Sequence, residues 1–270
     1  ALNYAYQMVM GRLLGPVDYG ALAALLALLS VFSMPASVLQ TVVTILVARL
    51  RARSEEEMLG ALLARLRTPI GLAGAILAAT VIAVQEPLAA FLQIPANGPL
   101  VIVALTLVPA ALYPALYGAL LGLGRHHVAG SLTLAAAGLR LLGGAGLVLF
   151  GFGLLGALAG SSIAALLMLF GAVYIMKPDL RLSGRTASLQ ADGAFRYAWQ
   201  TASALLFFAV LMNLDVVFVK HVFPPEQAGQ YAAAATLGKT LLFLPAPLAL
   251  ILFPKVSHDH ALGMRTDGAL

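Results

Sequence analysis

Three ionisable side chains interrupt the most apolar parts of this 270-residue chain: Arg140 in "AAAGLRLLGGAG", Asp215 in "LMNLDVVFV" and Lys239 in "ATLGKTLLF". A guanidinium offers a planar fork of donors and an ammonium a compact point charge, the two usual ways of holding an anion. Two cations against one acid leave the interior balance positive, which suits an anionic ligand. A site for cations would more naturally keep an unpaired acid. The structural alternative is an ion pair in which Asp215 neutralises one of the two cations. Asp215 could also carry H+ or Na+, and its position serves either role.

The segments around these residues set the terms on which they act. The chain is 61% hydrophobic and only 10% charged, with mean hydropathy +0.95. A soluble domain carries roughly 25% charged residues, so a fully hydrated surface cannot be built from this inventory. Apolar runs reach the roughly 20 residues needed to cross a bilayer as a helix. The hydropathy pattern predicts helices over 1–14, 18–48, 69–86, 99–123, 130–152, 154–176, 198–222 and 226–254. The expected fold is therefore an all-α polytopic membrane protein with about eight transmembrane helices.

Lys and Arg orient it. Arg49, Arg51, Arg53, Arg65, Arg67, Arg125, Lys177, Arg181, Arg185, Arg196, Lys255 and Arg265 fall on one set of connections, and only Arg12 and Lys220 on the other. By the positive-inside rule, the connections after the second, fourth, sixth and eighth helices are cytoplasmic. The net charge of +5 is explained by this asymmetry, without a nucleic-acid partner. "RARSEEEMLGALLARLR" has Ser54 three residues before Glu57 and leucines at helical spacing, which predicts a capped amphipathic helix on the inner surface.

A repeat underlies the whole. "GRLLGPVDYG" and "VFPPEQAGQY" align at an offset of 209, with Pro16 on Pro225, Gly20 on Gly229, and Asp18 and Glu226 opening the following helix. Pro35 in one copy and Pro245 and Pro247 in the other then interrupt the span. Six intervening crossings point both copies the same way, which predicts two parallel six-helix lobes around a central cavity. Residues 1–176 form the first lobe, with its first helix truncated. Residues 177–197 form a cytoplasmic linker, and 198–270 the start of a second lobe. The chain is expected to be a fragment of a protein with 12–14 spans.

With these stretches, "GLGRHHVAGSLTLAAAGLRLLGGAGLVL" and "NLDVVFVKHVFPPEQAGQYAAAATLGKTLLFLPAPLALILFPKVS" complete an ordered set. The set resembles the Wzx-like polysaccharide flippases of the multidrug/oligosaccharidyl-lipid/polysaccharide (MOP) exporter superfamily. One departure is His221–Pro224, where that pattern has a Gly-terminated turn; Pro224-Pro225 still turns the chain. The resemblance implies a MATE-like two-lobe bundle that opens alternately to each side. It also implies a polyprenyl-pyrophosphate-linked oligosaccharide as cargo, flipped across the bacterial cytoplasmic (inner) membrane for cell-surface polysaccharide biosynthesis. A cation-coupled multidrug antiporter and a lipid II flippase of the same superfamily are the alternatives.

Under that reading Arg140 and Lys239 become cavity cations for the diphosphate, and Asp215 an ion-pair or coupling group for H+ or Na+. Arg12 lies one turn before the outer end of the first helix. It lines an outer gate or, more simply, snorkels to lipid head groups. Asn3 and Gln7, four residues apart, share a helix face as cavity residues or as glue between helices. His126-His127 and the "HDH" at 258–260 are read as solvated loop histidines, with no cysteine beside them and no metal or cofactor expected. An enzyme acting on lipid-linked glycans would want catalytic groups outside. The longest outer connection, "QEPLAAFLQIPANGP", holds one acid, Glu86, and no His, so a transporter rather than an enzyme is expected.

Overall fold

The computed structural model describes residues 2–94, 96–180 and 194–243, and every regular element among them is helical. α1 (Leu2–Leu13) turns into α2 (Gly15–Ala52) at Gly15, where φ is +71°. Pro16 opens α2, where its missing N–H costs nothing, and Asp18 sits in the first turn at the positive end of the helix dipole. α3 (Leu59–Ala83), the short α4 (Gln85–Phe91), α5 (Gly98–Gly122), α6 (His126–Leu147), α7 (Gly153–Leu180), α8 (Ala194–Val222) and α9 (Pro225–Phe243) follow. Among the described residues five helical stretches are long and apolar enough to cross a bilayer, and one of them, His126–Leu180, contains both α6 and α7.

Most predicted spans match these helices to within a few residues. The continuation of the last one to 254, with Pro245 and Pro247, lies outside the described residues, as do 181–193 of the linker and the histidines at 258 and 260. His126 and His127 stand exposed on the first turn of α6 rather than in a loop.

The surface amphipathic helix does not form. Only a single 3-10 turn, Glu56–Met58, precedes α3, which begins at Leu59 and runs straight on through Arg65, Arg67 and Pro69. Leu59, Leu62 and Leu63 are buried against Val43 and Val47 of α2 and Ala115, Ala119 and Leu120 of α5. The leucine stripe therefore faces protein rather than lipid head groups. Ser54 adopts a φ of +57° and makes no capping bond, so the capping-box pattern is unused.

α2 organises the rest. At 38 residues it is about 57 Å long, nearly twice the roughly 30 Å hydrocarbon core. Its N-terminal portion, Tyr19 to Leu25, is buried on every side. Alanines and a glycine there let α2 approach its neighbours closely, the usual route to helix association in lipid. This portion joins an apolar cluster with Tyr6 and Met10 of α1, Leu100 and Val103 of α5, Leu158 of α7, Val216 of α8 and Ala232 of α9. The C-terminal portion, with Val43 and Val47, belongs to the second cluster, which Met176 of α7 also joins. Between the two clusters, along Leu26 to Ser33, α2 lines a cavity.

α6 and α7 are linked by a π-helical turn, Val148–Phe152, in which Gly151 has a φ of +92°. They then pack back to back, and a side chain on Gly160 would collide with the Gly143–Gly144 backbone. At the opposite end of the pair Arg125 grips Asp179 through both carboxylate oxygens at 2.7 and 2.9 Å, tying the α5–α6 turn to the end of α7. We expect Gly160→Ala to cost about 1–3 kcal/mol, the usual range for overpacking. Thermal unfolding of the detergent-solubilised protein measures this as a lowered midpoint. An unchanged midpoint would show that the α6–α7 crossing can yield.

Candidate binding cavity

The cavity holds about 630 Å³ and is lined by α1, α2, α5, α6, α7, α8 and α9. Its walls mix small apolar residues, mostly alanine, with many Ser, Thr, Asn, Gln and Tyr side chains, so apolar surface and hydrogen-bonding groups alternate around the space. Arg140 and Lys239, 99 positions apart in sequence, both line it, as do Asn3 and Gln7. Asp215 stands behind Lys239. Arg12 is exposed and away from the cavity.

Arg140 is held on three sides. Its guanidinium lies over the ring of Tyr6, 4.2 Å from the centroid. Nε donates to Ser161 Oγ at 3.1 Å, and Nη1 reaches Asn3 Oδ1 at 3.5 Å. Tyr6 is fully buried, and its hydroxyl donates to the Ala157 carbonyl at 2.9 Å. The Ser161 hydroxyl lies 3.2 Å from the Tyr6 hydroxyl, closing the network. The close crossing at Gly144 and Gly160 explains this meeting, because Arg140 lies one turn before the first glycine and Ser161 directly follows the second.

Stacking on an aromatic face and a side-on hydrogen bond hold the guanidinium plane without neutralising it. No carboxylate pairs with Arg140 among the described residues, and Nη2 has no protein partner there. One edge of the fork is thus left for an anionic oxygen.

Lys239 is differently placed. Its Nζ lies 3.3 Å from Asp215 Oδ1, and the Tyr231 hydroxyl donates to Asp215 Oδ2, also at 3.3 Å. The lysine and aspartate side chains are 25% and 34% exposed, so the pair is wetted rather than sealed. Asp215 therefore meets Lys239 and not Arg140. The two cations expected to act alike differ in pairing: among the described residues Arg140 meets no carboxylate, while Lys239 is shared with an acid. Gln7 adds a carbonyl oxygen, Oε1, that is buried with no hydrogen-bond partner among the described residues.

Sequence reasoning missed Tyr6, Ser161 and Tyr231. The available signal for the first was its position three residues after Asn3 and one before Gln7, on the same polar face. Ser161 and Tyr231 lie in unremarkable small-residue runs. It also misjudged Lys220, counted as a residue of an outer connection. Lys220 is 2% exposed, inside the last turn of α8.

A family profile described as "polysaccharide biosynthesis protein" matches residues 9–261. Among solved structures, the chain is similar to an inward-facing multidrug resistance MATE family transporter of the MOP superfamily, with a TM-score of 0.69 at 13% sequence identity. The match covers 90% of this chain and 58% of that one, so the chain spans little more than half of the transporter it resembles. A search of curated protein sequences finds no match.

Proposed function

The chain belongs to the polysaccharide biosynthesis protein family and has the MOP-type helical fold, and from that premise we propose that it flips a polyprenyl-pyrophosphate-linked oligosaccharide across the membrane. The carrying observation is Arg140: a cation braced by Tyr6, Ser161 and Asn3, unpaired among the described residues, on the wall of a cavity. Such a group is costly in a membrane, about 2.5–3.5 kcal/mol on insertion scales, and is retained where an anion uses it. The diphosphate of the cargo supplies that anion, and the cavity lies along α2 between the two buried apolar clusters, where a site reached from either side in turn would sit.

In this reading residues 1–176 make the first lobe, 177–197 the linker, and 198 onward the start of the second. The positive connections face the cytoplasm of a bacterium, and the cargo leaves from the outer leaflet for surface polysaccharide assembly. Lys239 is a second contact to the diphosphate, and Asp215 its resting partner or the carrier of a coupling H+ or Na+. Pairing between Asp215 and Lys239 weighs against export of cationic drugs, since the acid that would attract them is already engaged.

The full-length protein reconstituted in vesicles is the test. A labelled short saccharide on polyprenyl pyrophosphate should reach the far leaflet at least tenfold faster than in empty vesicles, and a cationic dye should not. Transport of the dye with no movement of the glycolipid would replace this reading with the antiporter. Selective movement of lipid II over other glycans would assign the other branch.

A further inference from the structure

At the outer end of the bundle two contacts join α8 and α9 to the preceding helices, and neither belongs to the cavity. The first is a backbone crossing of the repeat on itself. Gly20 of α2 and Gly229 of α9, equivalent positions in the two copies, lie against each other. A methyl carbon on Gly20 would come within 3.0 Å of the Gly229 amide nitrogen and Cα, and one on Gly229 would collide with the Pro16 carbonyl. The second is a clasp. The His221 ring stacks on Phe91 with centroids 4.0 Å apart and planes at 9°. His221 Nδ1 lies 2.9 Å from the Phe91 carbonyl, and Gln93 Nε2 donates to the His221 carbonyl at 2.7 Å.

The clasp has a reciprocal logic. Phe91 ends α4, and His221 is the penultimate residue of α8, so both carbonyls are among the orphans every helix end leaves. Each is answered by the other element's side chain. The Phe91 carbonyl can only accept, so His221 Nδ1 carries the proton. His221 and Gln93 are exposed, and water can take over both hydrogen bonds when they part. A contact whose partners are replaceable by water suits repeated making and breaking; the glycine crossing, with no side chain to rearrange, does not give gradually.

We infer that the Phe91–Gln93/His221 clasp is the releasable latch of the outer closure, and the Gly20–Gly229 crossing the seam it holds shut. The latch stores preference for the closed state, and the seam sets how tightly the two halves of the repeat approach. This rests on the transporter reading above for its two-sided access, but not on the identity of the cargo.

These 270 residues hold no cysteine; with any cysteine elsewhere in the full-length protein replaced by serine, Ser30→Cys in α2, on the cavity wall, reports access from outside. The full-length protein in intact cells is treated with a membrane-impermeant maleimide. His221→Ala and Gln93→Ala should each raise labelling about fivefold, the population shift expected from losing one net hydrogen bond. His221→Asn keeps a donor toward the Phe91 carbonyl and should recover part of the closure. Gly229→Val should raise labelling more than either, because the seam cannot reform. Phe91→Cys paired with His221→Cys should cross-link on oxidation and block labelling, with reductant restoring it. Unchanged labelling in both latch variants, or cross-linked protein that still labels, would overturn the assignment. No cargo enters these measurements, so failure here is separable from failure of the proposed substrate.

Discussion

Replacing Arg140 with alanine is expected to lower glycolipid transport by about a hundredfold while leaving the protein in the membrane at near-normal amounts. A charge-assisted contact of this kind is worth about 2–4 kcal/mol when its partner is left behind, and the diphosphate would then meet neutral polar groups where the fork had been. The fold should tolerate the change, because the guanidinium is a guest of the network: Tyr6 keeps its bond to the Ala157 carbonyl, and Ser161 keeps its own at 3.1 Å. Arg140→Lys separates charge from shape. It retains the cation but loses the fork and the stacking on Tyr6, so transport should fall about tenfold rather than a hundredfold. Initial rates in vesicles, normalised to reconstituted protein, measure both. Equal rates in the alanine variant and the parent would remove Arg140 from the binding site.

The second large effect concerns Asp215 and Lys239. Lys239→Ala strands a carboxylate beside Tyr231, whereas Asp215→Asn frees the lysine and leaves an amide for Tyr231 to meet. The two are therefore expected to diverge. The first should reduce transport tenfold or more but lower thermal stability by only about 1 kcal/mol or less, because water reaches the stranded carboxylate. The second should bind the anionic cargo several-fold more tightly, since a competing negative charge is gone. The exchanged pair, Asp215→Lys with Lys239→Asp, decides what the contact is for. A purely structural ion pair predicts recovery of stability and transport together. A lysine that touches cargo predicts recovered stability with transport still impaired, the outcome expected here.

These expectations rest on features of unequal visibility in the sequence. Arg140 and Lys239 stood out because an ionised group within an apolar run is rare enough to demand a reason. Their partners did not, since a tyrosine at 6 and a serine at 161 are ordinary in membrane helices. The leucines at 59, 62 and 63 show the same ambiguity from the other side: their spacing suits a helix floating on lipid and a helix end wedged between α2 and α5 equally well. Periodicity reports that one face is apolar and is silent about what covers it. Lys220 was misplaced for a related reason, as a lysine near a helix end usually reaches for water, and only the neighbours packed around it bury it.

The sequence by itself determined that the chain is helical and apolar enough for a membrane, and where most of its helices lie, because each depends on transfer energies or spacings that every residue contributes locally. The tertiary structure alone decided that Asp215 pairs with Lys239 and not, among the described residues, with Arg140, and that Gly20 and Gly229 meet. The pair joins helices that follow one another in the chain, whereas the glycine crossing depends on the approach of helices more than 200 positions apart. That approach is set by how closely small residues let backbones come together, a quantity that no single segment carries.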